Sequence, residues 1–192
     1  LGIAMPEARV ISLEETANGD IAVASDALLE AARRADALIV GPGCDPTPQW
    51  LEIVGALARE SRGTPVLDAG ALSAVEAIEG ATARCIVTPH AGEMASVTGL
   101  PIEEIGKEPA QVAQRYSEQT GCIVVLKGAT THVSANGERA WVHTGGSIAL
   151  GTSGSGDVLA GIIGGLAARG AGPVIAAQWG GDLHGHAGGV GG

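Results

Sequence analysis

The 192-residue chain has no phenylalanine, and its whole aromatic complement is three tryptophans and one tyrosine. Single-stranded nucleic acid is held by stacking bases on aromatic rings, so that binding mode lacks its platform here. Cationic charge is also scarce, with 11 lysines and arginines against 21 acidic residues and a formal net charge of −10. That sign opposes neutralisation of a phosphate backbone, and no nucleic-acid partner is expected. The cysteines, Cys44, Cys85 and Cys122, are odd in number and include no CxxC pair, which argues against a disulfide framework or a zinc knuckle. Reduced thiols in a cytoplasmic protein are the expectation. No uninterrupted apolar run reaches the roughly 18 residues of a membrane span, and no basic stretch precedes a signal-like apolar segment, so a soluble protein without a membrane partner is expected. Two nucleotide signatures are missing as well. There is no GxxxxGKS or GxxxxGKT loop, and no GxGxxG follows a strand-like run, so any nucleotide is held on another scaffold.

What is present is aliphatic residue and glycine. Hydrophobic residues make up 45% of the chain and glycines number 31; without a Gly-X-Y period this composition fits a globular domain with a small-residue core, 1–192 read as one domain. Ser25 stands as a helix cap before Ala27, Leu28, Ala31 and Ala32, which recur at helical spacing. The run Ala37 to Val40 follows, and then Gly41-Pro42-Gly43, a turn. Thr47 to Arg59 carries Leu51, Val54, Leu57 and Ala58 on one helical face. Val66-Leu67, Cys85 to Val87 and Ile123 to Leu126 are apolar without alternation, as in strands covered on both sides. Such strands alternating with helices predict an α/β fold of three layers, a mostly parallel central sheet with helices on both faces. Thr131 to Ser134 and Arg139 to His143 flank Asn136-Gly137, which predicts a hairpin with a type I′ turn extending one side of the sheet. Helices from about Gly156 and from about Pro173 complete the chain.

The densest chemical signal is Gly151-Thr152-Ser153-Gly154-Ser155-Gly156-Asp157. Val158, Ile162 and Leu166 recur at i, i+4 and i+8, as do Leu159, Ile163 and Ala167, which predicts a well-buried helix. A glycine-rich loop entering a helix N-terminus gathers unpaired N–H groups and the positive end of the helix dipole, an anion site made of backbone. Asp157 in the first turn has two readings: an acid that complements the dipole, or a base that takes a proton from a hydroxyl attacking phosphorus. Three further groups follow strand-like runs, where open α/β sheets present ligand-binding residues. In Thr88-Pro89-His90-Ala91-Gly92-Glu93, His90 could donate to a substrate and Glu93 could hold Mg²⁺ through water, or the pair could be a turn histidine and a helix-start glutamate. Lys127-Gly128 offers an ammonium to phosphate oxygens. Gly41-Pro42-Gly43 offers bare backbone. His184 and His186, at i, i+2 on a helix with no third ligand nearby in sequence, read as structural or surface residues, and Cys44 as a packed or half-exposed thiol.

In that order, Gly41-Pro42-Gly43, Val66-Leu67-Asp68-Ala69, Thr88 to Glu93, Val125-Leu126-Lys127-Gly128 and Gly154 to Gly161 resemble the ADP/ATP-dependent NAD(P)H-hydrate dehydratases of the ribokinase-like superfamily. His184-Gly185-His186-Ala187-Gly188 is similar to that family's late HGxAG element. The resemblance implies a ribokinase-like fold and repair of nicotinamide nucleotides. ADP or ATP would serve as co-substrate with Mg²⁺, phosphorylating the ring hydroxyl of the S form of NADHX or NADPHX; elimination would then restore NADH or NADPH. It implies Asp157 as the base, which also meets the substrate together with Gly41, Gly43 and His90. Lys127, Gly128, Ala129, Thr130 and Thr131 would bind the nucleotide, as would Gly154, Ser155 and Gly156, and Glu93 would approach Mg²⁺. A homotetramer and a functional link to an NAD(P)HX epimerase are implied as well.

Three departures from the family pattern stand out. Ala91 replaces the second proline of TPHPGE, Gly70 replaces the second acid of LDADAL, and the family begins several dozen residues earlier, so Leu1 to Ile11 reads as a point already inside the domain. Two other readings use the same residues: a vitamin-precursor kinase of the superfamily, and a non-catalytic nucleotide-binding fragment. The pyrimidine kinases of the superfamily resemble TPN where this chain has Thr88-Pro89-His90, and the histidine favours the dehydratase.

Overall fold

In a computed structural model of the chain, residues 8–78, 82–136, 138–144 and 154–189 are described. Near the start, an isolated antiparallel bridge joins Glu15 to Ile21. Helix α1 (Asp26–Arg34) begins where Ser25 accepts the Leu28 N–H, and α2 (Pro48–Glu60) where Thr47 accepts from Trp50, so both expected helices start on a side-chain cap. Strands β1 (Ala37–Val40), β2 (Thr64–Leu67), β3 (Ile86–Val87) and β4 (Ile123–Leu126) pair in parallel, in chain order. A 3₁₀ stretch, Ala69–Ala77, follows β2; α3 (Ala91–Thr98), α4 (Ile102–Lys107) and α5 (Pro109–Thr120) connect β3 to β4. These short segments lack a long apolar period and were not singled out from sequence. Their bounds are set by local chemistry, with Pro109 in the first turn of α5 and the left-handed Gly99 and Gly121 closing α3 and α5.

Strands β5 (Thr131–Ser134) and β6 (Trp141–His143) add antiparallel to β4, giving six strands in the order β1 to β6. The hairpin is there, but its turn differs from the expectation. Val133 faces Trp141, which leaves an odd number of residues between them, and a plain two-residue type I′ turn requires an even number. Asn136 is left-handed, with φ 53°, and the Glu138 N–H closes on the Ala135 carbonyl at 2.9 Å; Gly137 lies outside the described residues.

Alternate side chains of the strands divide the core. Val40, Leu67, Val87, Val124 and Leu126 pack toward α1, α2, the 3₁₀ stretch, α3 and α5. Val66, Ile86, Ile123, Val125 and Val133 pack toward α6 (Ser155–Ala168) and α7 (Pro173–Gly189). The result is the three-layer α/β fold with a hairpin extension. One expectation about α6 is corrected: Leu159, Ile163 and Ala167 are buried, but Val158, on the second predicted stripe, is 57% exposed. A helix lying on one side of a sheet has one inward face, so the Leu159 stripe is covered while the other runs from exposed Val158 to half-buried Ile162 and Leu166. Among the described residues, no helix is long and apolar enough to cross a membrane.

Candidate active site

All four parallel strands end on one edge, where Gly41 follows β1, Asp68 follows β2, His90 stands three residues beyond β3 and Lys127 follows β4. After β1, the Cys44 N–H closes on the Gly41 carbonyl at 3.0 Å, with Pro42 second and Gly43 third at φ +74°. That is the pattern of a type II turn, in which the third residue needs a positive φ. Gly41, at φ +115°, lies against the Asp68 carbonyl so closely that any side chain would overlap it. Gly70 is held the same way by the Cys44 carbonyl. The second acid of the family pattern would have no room at this position, because the turn after β1 packs backbone to backbone on the 3₁₀ stretch. Cys44 is half-buried, and desolvation raises its thiol above the ordinary cysteine value, so it is an unactivated thiol.

After β3 the chain enters α3 through a reciprocal cap. His90 Nδ1 accepts the Glu93 N–H at 3.1 Å, and Glu93 Oε2 accepts the His90 N–H at 2.7 Å. The structural reading of this pair is therefore correct, and it has a chemical consequence. An accepting Nδ1 puts the ring proton on Nε2, which lies 3.7 Å from Glu93 Oε1 on a side chain that is 58% exposed, so this edge carries a ring N–H in a defined tautomer. Pro89 accepts the Lys127 N–H at 2.8 Å, which ties the end of β3 to the end of β4.

Lys127 is the centre of the cluster. Its Nζ donates to Asp68 Oδ1 at 2.7 Å and lies 3.6 Å from Glu93 Oε2, and the side chains of Lys127 and Asp68 are 16% and 2% exposed. A Cβ built on Gly156 would sit 3.0 Å from Lys127 Nζ and 3.4 Å from Asp68 Oδ2. The first turn of α6 therefore rests directly on this ion pair. Gly154 caps the helix in the left-handed conformation at φ +87°. His184 Nε2 lies 3.0 Å from Ser155 Oγ and 2.9 Å from the Ser155 carbonyl, linking α7 to the start of α6. Burial is the main cause that holds His184 below the ordinary imidazole value; the Ser155 hydrogen bond opposes it and the Lys127 charge adds to it. Asp157 is exposed in the same first turn. Gly151, Thr152 and Ser153, the upstream part of the loop, lie outside the described residues.

Two depressions flank the cluster. One, of about 350 Å³, is lined by Lys127, Gly128, Ala129, Thr130 and His132 among others; the second, of about 300 Å³, is lined by Cys44, Ala69, Gly70 and Glu93 among others. His132, not Thr131, is the β5 side chain on the first depression; the Thr131 methyl faces Gly181 of α7. A larger hollow, of about 490 Å³, opens at the opposite edge around Arg33, Arg62 and Arg84. It lies away from this chemistry, and Arg33 is paired with Glu60 at 2.7 Å.

The structure thus brings together Gly41, His90, Glu93, Lys127, Ser155 and Gly156, with Gly128 to Thr130 beside them, while Gly43 stands on the turn without a close neighbour. Sequence reasoning missed three residues. Asp68 carried a usable signal, since it follows a strand-like run as Lys127 does. His184 was marked only through the family's HGxAG element and read as structural, and His132 carried no signal. Burial also holds His132 below the ordinary imidazole value, and its buried Nδ1 has no partner among the described residues. The elimination of a third ligand near His184 and His186 is corrected as well: His143 and Asp182 stand beside His186 in space.

Asp68 and Glu93 exceed Lys127 by one negative charge, so a polyphosphate arriving here needs backbone N–H groups and a further cation. Carboxylate oxygens are the hard donors that Mg²⁺ takes, with phosphates and waters filling the rest of its shell, and Asp68 and Glu93 fit that ion.

Residues 3–190 match the family model of the NAD(P)H-hydrate dehydratases. An ADP-dependent (S)-NAD(P)H-hydrate dehydratase of Xanthomonas campestris is 40% identical over 98% of this chain and 65% of its own length. A bifunctional NAD(P)H-hydrate repair enzyme of Thermofilum pendens is 36% identical over 99% of this chain and 37% of its own length. The ADP/ATP-dependent NAD(P)H-hydrate dehydratase of Bacillus subtilis, co-crystallised with ATP and Mg²⁺, superposes with a TM-score of 0.69 at 29% identity, covering 82% of this chain and 58% of that one. The chain thus spans about two thirds of the first relative and little more than a third of the second. The match over residues 3–190 and the shared ribokinase-like architecture fix its lineage: the chain belongs to the NAD(P)H-hydrate dehydratase family.

Proposed function

We propose that this chain dehydrates the S form of NADHX or NADPHX at the expense of ADP, with Mg²⁺. The observation that carries the reading is the Lys127 ammonium, 2.7 Å from Asp68 and 3.6 Å from Glu93, seated against Gly156 between two depressions. The nucleotide lies along Lys127, Gly128, Ala129 and Thr130, and Thr131 contributes through its backbone. The hydrated dinucleotide lies on the side of Gly41, Gly43 and His90, whose Nε2–H donates to it. The N–H groups of Gly154, Ser155 and Gly156, at the positive end of α6, stabilise the transferring phosphoryl group. Asp157 accepts the proton of the ring hydroxyl as its oxygen attacks the terminal phosphorus of ADP, and AMP departs. The phosphate ester then leaves as inorganic phosphate while the neighbouring ring carbon loses a proton, and the double bond of the dihydropyridine forms. Asp68, and Glu93 through water, would hold Mg²⁺, which would supply charge neutralisation on the phosphates when bound.

At a coarser level we propose a cytoplasmic homo-oligomer, a tetramer, acting on product passed from an NAD(P)HX epimerase. The exposed stripe of Ile175, Trp179 and Leu183 on α7, with Val158 on α6, supports association. The decisive experiment follows the return of reduced-nicotinamide absorbance on incubation with NADHX, ADP and Mg²⁺. Recovery is expected for the wild type, with kcat reduced about 10²- to 10⁴-fold in Asp157→Asn. No recovery by the wild type, or undiminished recovery by the variant, would overturn the proposal. ADP-dependent thermal stabilisation without recovery would identify the nucleotide-binding fragment instead.

A further inference from the structure

A second cluster of ionisable groups lies outside the proposed active site, where the last strand meets the last helix. His143, at the end of β6, is 7% exposed, and its Nδ1 lies 2.7 Å from Asp182 Oδ1 on α7. His186, one turn further along α7, places its Nδ1 2.9 Å from the Asp182 carbonyl and 3.6 Å from Asp182 Oδ2, and its side chain is 70% exposed. One ligand atom from each of the three residues falls within 4.8 Å of the others. The His143 and His186 rings have centroids 5.2 Å apart, and Trp141 stacks on the other side of His143 at 6.0 Å. Gly185 leaves room for this approach, because any side chain there would overlap the His143 ring.

We propose that His143, Asp182 and His186 bind a borderline divalent transition metal such as Zn²⁺, fastening β6 to α7. Two imidazoles and one carboxylate are the donor set of such ions and not of Mg²⁺ or Ca²⁺. Tetrahedral Zn²⁺ with bonds of about 2.0–2.1 Å spaces its ligand atoms about 3.3 Å apart. His143 Nδ1 and His186 Nδ1 meet different oxygens of Asp182, at 2.7 and 3.6 Å, and one ligand atom of each residue falls within 4.8 Å of the others, so turning the Asp182 carboxylate and the exposed His186 ring closes the three onto one ion. Asp182 and His186 share one face of α7 at i, i+4, and the buried His143 supplies a fixed third ligand from another element. Exposed His186 is the entry side, and water takes the fourth position. Binding moves the His143 proton from Nδ1 to Nε2. Among the described residues that nitrogen is buried and without a partner already, so the exchange at His143 creates no new orphan group, while His186 Nδ1 gives up its contact with the Asp182 carbonyl. None of the three residues has a part in the proposed reaction, which keeps this inference independent of it.

The test uses the untagged full chain stripped with a chelator. Zn²⁺ is titrated calorimetrically, and Co²⁺ is followed by its visible absorption. One equivalent of Zn²⁺, a raised Tm, and Co²⁺ bands of tetrahedral intensity are expected. His186→Gln, a surface change that spares the fold, is expected to weaken Zn²⁺ binding about tenfold or more, with the metal-free Tm unchanged; His143→Gln gives the same loss. Three results would each overturn the proposal: no stoichiometric binding, binding undiminished in His186→Gln, or binding lost in His90→Gln instead. The last would assign the metal to the edge of the parallel strands.

Discussion

At position 156 a hydrogen atom is all that separates α6 from the Lys127 ammonium. A methyl group added to Gly156 would stand 3.0 Å from Lys127 Nζ, closer than carbon and ammonium pack comfortably, so the ammonium must give way by a few tenths of an ångström and its place at the phosphate shifts. Gly156→Ala is therefore expected to weaken ADP binding about tenfold, roughly 1.4 kcal/mol, while Tm changes little because the helical backbone at 156 accepts alanine. Calorimetric titration with ADP checks this; unchanged affinity would show that the first turn of α6 does not press on the phosphate. The same position shows what residue types alone can reveal. His90, Lys127 and Gly156 were legible because each closes or opens an element of recognisable pattern. The partner of Lys127 was not, since Asp68 lies 59 residues away in sequence, and only the pairing of β2, β3 and β4 brings the two strand ends together.

Among the elements, α6 separates packing from mere apolar composition. Ile163 is fully buried, with Gly180 of α7 pressed against its side chain, and Ile39 of β1 lies against Gly164. Glycines let α6 approach both the sheet and its neighbour helix, so a truncation there leaves a cavity that rigid backbone cannot fill. Ile163→Ala is expected to cost about 2–5 kcal/mol in urea denaturation. Val158→Ser, one turn earlier on the exposed side, should stay within about 0.5 kcal/mol in the monomer. Similar losses from both would mean that the two stripes are equally covered. The sequence period correctly gave a helix with apolar stripes, but both stripes satisfy that period equally well, and which one meets the sheet depends on how the helix is rotated about its axis by its neighbours.

On the scale of the whole molecule, the buried imidazoles set an acid limit. His184 and His132 both titrate below the ordinary imidazole value when folded, chiefly because burial disfavours their charged forms. The unfolded chain therefore binds protons first as pH falls below about 6.5. Their contribution to stability is complete above that value and is lost as pH falls toward their folded pKa. Tm is expected to drop between pH 7 and pH 5, with a shallower slope in His184→Gln; an identical slope would remove His184 from the account. The sequence by itself determined the layered α/β architecture and the edge on which the candidate residues collect, because apolar periodicity and turn chemistry are local properties of the chain. Only the tertiary structure decided that Asp68 and Glu93 share Lys127, that position 70 has no room for an acid, and that His186 and His184 serve different neighbours. Those outcomes depend on distances between residues far apart in the chain, and such distances are fixed by strand order and helix packing, which no local pattern encodes.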